Sequence, residues 1–163
     1  MNNRRLALSL IEIVIVLSIL ALLASGSMLL LSGTLRSAAQ QGLLTEFIDL
    51  HTWTRDHSST RVIEMQFDFE AQQISVQERV IAFSGSSRLS SVIINGAVLE
   101  SRSIQVPYHH ERSSTYAVLF SDESNLGMWV LVCGPSGEIE VFENKPGMQE
   151  QITYWTAQWS NVN

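Results

Sequence analysis

Leu8-Ser9-Leu10-Ile11-Glu12-Ile13-Val14-Ile15-Val16-Leu17-Ser18-Ile19-Leu20-Ala21-Leu22-Leu23-Ala24 opens an apolar run that continues to Leu31 and carries one charge, Glu12. About 24 residues at the helical rise make a rod of roughly 36 Å, against a hydrocarbon core of about 30 Å, so the run predicts a membrane-spanning helix. Arg4 and Arg5 precede it without an acidic companion, which predicts a cytoplasmic amino terminus and an exported chain beyond Leu31. A carboxylate inside such a helix costs roughly 2.5–3.5 kcal/mol at the bilayer centre and less toward an end, so Glu12 calls for a partner.

Two ordinary readings compete for this run. A cleavable secretory signal has the same basic start and apolar core, and Ala24-Ser25-Gly26 supplies small residues for a cut. A plain anchor explains the length. Neither accounts for Glu12, and the first leaves the apolar residues through Leu31 beyond the cut.

The order Arg4-Arg5-Leu6-Ala7 followed by Leu8-Ser9-Leu10-Ile11-Glu12-Ile13-Val14-Ile15-Val16-Leu17 resembles the amino-terminal signal of type IV pilins and type II secretion pseudopilins. The resemblance implies a leader of residues 1–7, a prepilin peptidase cut between Ala7 and Leu8, N-methylation of Leu8, and Glu12 as the fifth residue of the mature chain. Ala7 stands where that family usually has Gly, and Leu8 where it usually has Phe or Met. In a helical stack the Glu12 carboxylate would meet a neighbour's new amino terminus, removing two unpaired charges from an apolar core and fixing the axial register.

The helix is expected to continue to about Arg55. Leu35, Ala39, Leu43, Phe47 and Leu50 recur at helical spacing among Arg36, Gln40, Gln41, Glu46 and Asp49, and Asp56-His57-Ser58-Ser59 breaks the pattern. Residues 8–31 thus read as a transmembrane and assembly helix, and residues 32–57 as its amphipathic continuation.

Residues 58–163 switch to a period of two. Ile63, Met65, Phe67 and Phe69 alternate with Glu64, Gln66, Asp68 and Glu70, and a second strand starts at Ile74 and Val76. Asn95-Gly96, between Val92-Ile93-Ile94 and Ala97-Val98-Leu99, is a two-residue hairpin turn because both positions tolerate positive φ. Tyr116, Val118 and Phe120 mark another strand, and Gly134-Pro135-Ser136-Gly137 joins Met128–Cys133 to Glu138–Phe142. Residues 84–91 and 107–115 read as loops. The order Ala117–Glu123, Trp129–Val132, the Gly-Pro-Ser-Gly turn and Glu138–Val141 resembles the carboxy-terminal part of H-type minor pseudopilins.

The expected fold class is α+β, a long amino-terminal helix packed on an antiparallel β-rich globule. The resemblance implies a minor pseudopilin of a type II protein secretion system, a non-enzymatic structural subunit of a periplasmic pseudopilus that helps export folded proteins across the outer membrane. Its implied partners are prepilin peptidase, other pseudopilins or pilins, and the inner membrane, which it would cross once. A minor type IV pilin shares every amino-terminal argument, and an exported binding or enzymatic domain behind a simple signal or anchor is the alternative from another class.

Composition narrows the partners further. The net charge of −6 falls by two more when Arg4 and Arg5 leave with the leader, which opposes binding of a polyanion, so nucleic acid is not expected. Cys133 is the only cysteine, so no internal disulfide forms, and its place at the end of an apolar strand predicts a buried thiol. His51, His57, His109 and His110 lack metal-ligand spacing, and no cofactor or catalytic set is visible. Asp122, Glu123 and Asn125 could surround Ca²⁺ but lack the spacing of a helix-loop-helix site and read as a solvated turn. Trp155 and Trp159 would share one face of a helix in the polar tail, either packed on the core or offered to a partner.

Overall fold

The computed structural model describes residues 10–59, 61–83, 87–99, 101–109 and 113–160; the side chains of residues 10, 12 and 23–37 lie outside that description. The chain forms two compact units, Met1–Ala38 and Ala39–Asn163. Helix α1 runs Leu10–His57 and contributes to both. Its last carbonyls are closed by Ser58, whose amide donates to Thr54 O at 2.9 Å and whose hydroxyl donates to Arg55 O at 2.8 Å.

The second unit holds two antiparallel sheets. The first comprises β1 (Ile63–Asp68), β2 (Gln73–Val76), β3 (Arg79–Ala82) and β6 (Ser103–Tyr108) in the order β3-β2-β1-β6. The second comprises β4 (Arg88–Ile94), β5 (Ala97–Leu99), β7 (Tyr116–Ser121), β8 (Gly127–Val132) and β9 (Ile139–Glu143) in the order β5-β4-β7-β8-β9. Helix α2 (Met148–Ser160) ends the described chain.

Alternation along the strands explains the layering. Met65, Phe67, Ile74, Val106 and Tyr108 of the first sheet meet Tyr116, Val118, Phe120, Val130 and Val132 of the second in one core, which Phe47 and Leu50 of α1 also enter. The intervening residues Ala117, Leu119, Trp129 and Leu131 point to the other face of the second sheet, where Ile152 of α2 covers them. Strand β7 is therefore buried along its whole length, as a central strand with both faces covered must be. A register shift between Leu89 and Ser91 interrupts the β4–β7 ladder. Beside it, the amide of Leu89 donates to Gln72 Oε1 at 2.9 Å, and Gln72 Nε2 donates to Leu89 O at 3.2 Å. The side-chain amide of Gln72 thus takes the place of a neighbouring strand where β5 does not reach.

Several expectations are corrected. Strands dominate the packed unit, and the fold class is a mostly β domain, with nine strands in two sheets among the described residues, rather than α+β with a long transmembrane helix packed on a globule. Of α1, only the part from Ala39 onward shares a unit with the strands. Among the described residues no helix is long and apolar enough to cross a membrane. The transmembrane segment at residues 8–31 and the single-pass inner-membrane location are set aside on that finding. Residues 88–91 and 107–108, read as loops, belong to β4 and β6.

Candidate functional site

The amino-terminal half of α1 carries a surface of unusual composition. Ile11, Ile13, Val14, Ile15, Val16, Leu17, Ile19, Leu20 and Leu22 are 47–74 % exposed, and together they surround the helix. Ser18 turns its hydroxyl back to Val14 O at 2.8 Å, so the one hydroxyl within that stretch is satisfied on the helix itself. An apolar face that encircles a helix is stable only when something covers it. Glu12 lies in α1, with its side chain outside the description; Ala7 and Leu8, the expected cleavage and methylation positions, also lie outside the described residues.

Trp155 and Trp159 do lie on a helix. Both are half-buried against the second core, Trp155 tilted on Phe142 with ring centroids 5.1 Å apart. Tyr154, on another side of α2, is 63 % exposed. The Asn95-Gly96 turn docks on the same helix: Gly96 N–H donates to Thr156 Oγ1 at 3.1 Å, and Ser160 Oγ donates to Asn95 Oδ1 at 2.7 Å. Near the start of α2 an open groove of about 670 Å³ is lined by hydroxyl and amide groups of Ser90, Ser91, Ser101, Asn125, Asn144 and Gln149.

The turn at Asp122 is organised by hydrogen bonds. Asp122 is buried, and its Oδ1 accepts from the amides of Ser124 at 2.7 Å and Leu126 at 3.0 Å. Asn125 takes positive φ, and Glu123 pairs with Arg88 at 2.9 Å. Asp122 is therefore a turn-closing acceptor rather than part of a solvated turn. No group of three or more potential metal ligands occurs among the described residues. Cys133 is half-buried just past β8, more open than the core thiol expected from its neighbours.

Sequence reasoning passed over a polar cluster inside the main core. His51, on the buried face of α1 and 3 % exposed, places Nδ1 3.1 Å from the Tyr108 hydroxyl and 3.3 Å from that of Tyr116. Tyr108 donates to Tyr116 through a short hydrogen bond, and Tyr116 Oη also faces Met65 Sδ at 3.8 Å. Among the described residues, Nε2 of His51 has no hydrogen-bond partner. Burial and then the neighbouring Arg55 guanidinium lower the His51 pKa to about 4, and the Gly137 backbone opposes this with the smallest of the three contributions. Burial raises both tyrosines above the ordinary phenol value. The cluster is neutral at neutral pH and closed to solvent.

Comparison with known proteins finds no match to a family, to a curated protein or to a solved structure.

Proposed function

We propose that this chain is a structural subunit of a pilin-like helical fibre, specifically a minor pseudopilin of a type II protein secretion system that helps export folded proteins across the outer membrane. The observation that carries the reading is the encircling apolar surface of α1 between Ile11 and Leu22. A surface of that kind marks an interface, and packing it against like helices of neighbouring subunits hides every side at once. Repeated head-to-tail contacts that do not close produce a filament. The sequence adds the motif around Glu12, whose charge would be neutralised by the amino terminus of the next subunit. The β domain is then the body that such a helix carries, with prepilin peptidase and other pseudopilins as partners. No catalytic role is proposed.

Intact and amino-terminal mass spectrometry on protein from its native cells tests the proposal. A mature chain starting at N-methylated Leu8 is expected. A start near Ser27, or an uncut Met1, would overturn it and leave an exported domain to be assayed on its own.

A further inference from the structure

His51 sits where α1 meets both sheets, with Tyr108 from β6, Tyr116 from β7 and Met65 from β1 around it. The charged group that acts on it is Arg55, one turn further along the same helix. The Arg55 guanidinium lies against the turn after β8: a Cβ added at Gly137 would stand 1.8 Å from its Nη1. An imidazolium here would be a buried cation beside another cation, among phenols and a thioether, with the Gly137 backbone as the weakest of the three influences on it and the one that favours the charge. Phe47 and Leu50 hold the adjoining turns of α1 in the same core, so the cost of charging His51 falls on the contact between α1 and the sheets.

We propose that His51 is an acid-sensitive latch, protonation of which loosens residues 44–57 of α1 from the two sheets. The direction follows from linkage. The histidine pKa is 6.5 when the helix is undocked and about 4 when docked, so the docked state binds fewer protons. The latch holds fully above pH 6.5 and is progressively lost as pH falls toward 4, with docking weakened about tenfold per pH unit across that window. The device is independent of the assembly role proposed above, because it acts between elements of one chain.

Hydrogen exchange of the full-length protein, followed by mass spectrometry on peptides covering residues 44–57 and corrected for intrinsic rates, reads the latch. Protection in these peptides is expected to fall about twenty- to thirtyfold between pH 7 and pH 5. In His51→Gln it should not vary with pH over that range. Equal pH dependence in the variant, or none in the wild type, would overturn the proposal. A second measurement avoids the variant: NMR titration of the His51 ring in the wild type should show a neutral imidazole down to about pH 4, and an ordinary titration near 6.5 would refute the latch.

Discussion

Gly96 illustrates how one residue can serve a turn and an interface together. Its φ of +81° is the left-handed conformation that the hairpin requires, and an added Cβ would lie 2.5 Å from the Cβ of Ala157 on α2. Gly96→Ala is therefore expected to cost about 2–4 kcal/mol from backbone strain and overpacking. Thermal unfolding reads this as a drop of several degrees, whereas an unchanged midpoint would mean that the turn does not press on α2. The dipeptide disclosed its turn in the sequence because asparagine and glycine both accept positive φ; the helix it docks on lies sixty residues away and left no local mark. Asp122 makes the complementary case. Its carboxylate caps two backbone amides, so Asp122→Ala should lose about 1–3 kcal/mol, and millimolar Ca²⁺ should leave the wild-type melting temperature unchanged. A calcium-dependent rise would make the loop a metal site. The His51 cluster was illegible for the reason Gly96's docking was, since its hydroxyl partners are 57 and 65 positions distant.

Among the elements, legibility followed the strength of alternation. The Ile63, Met65, Phe67 series and the Tyr116, Val118, Phe120 series each put large apolar groups on every second position, and both became core strands. Arg88-Leu89-Ser90-Ser91 was hidden by its serines, because Leu89 is the one apolar side chain in that half of β4 and its register shift breaks the period. Strand β6 was missed, and its end was read as a loop from Pro107, a residue that an edge strand tolerates since one side needs no amide donor. Helix α2 looked like a polar tail because one stripe alone, Ile152 and Thr156 flanked by the two tryptophans, faces the sheet. That stripe makes a prediction at this scale. If Trp155 and Trp159 cover the second core, Trp155→Ala and Trp159→Ala should each cost about 2–3 kcal/mol, somewhat less than a fully buried aromatic. Chemical denaturation with both variants measures it. Unchanged stability together with lost association would return the pair to the partner-contact role.

For the whole molecule, the informative contrast lies between a domain that is satisfied and a helix that is not. The sheets bury their apolar alternation in two cores, and the cluster around His51 leaves one ring nitrogen without a hydrogen bond among the described residues; the large apolar side chains described between Ile11 and Leu22 of α1 stay about half exposed or more. None of these side chains belongs to either core. Packing against like helices of other chains, as proposed above, would supply that burial. Replacing Ile15, Leu17 and Leu22 by Gln in the full-length protein removes apolar surface while keeping good helix formers at those positions. Sedimentation velocity should then show self-association in the wild type at micromolar concentration and a monomer in the triple variant. The melting temperature of the β domain should agree between the two within about 1 °C, since substitutions outside a core change little. A variant that associates as the wild type does would place the contact on the sheets or on α2 instead. A variant that associates less but melts well below the wild type would show that α1 upstream of Ala39 stabilises the β domain, and the assembly reading would lose its main support.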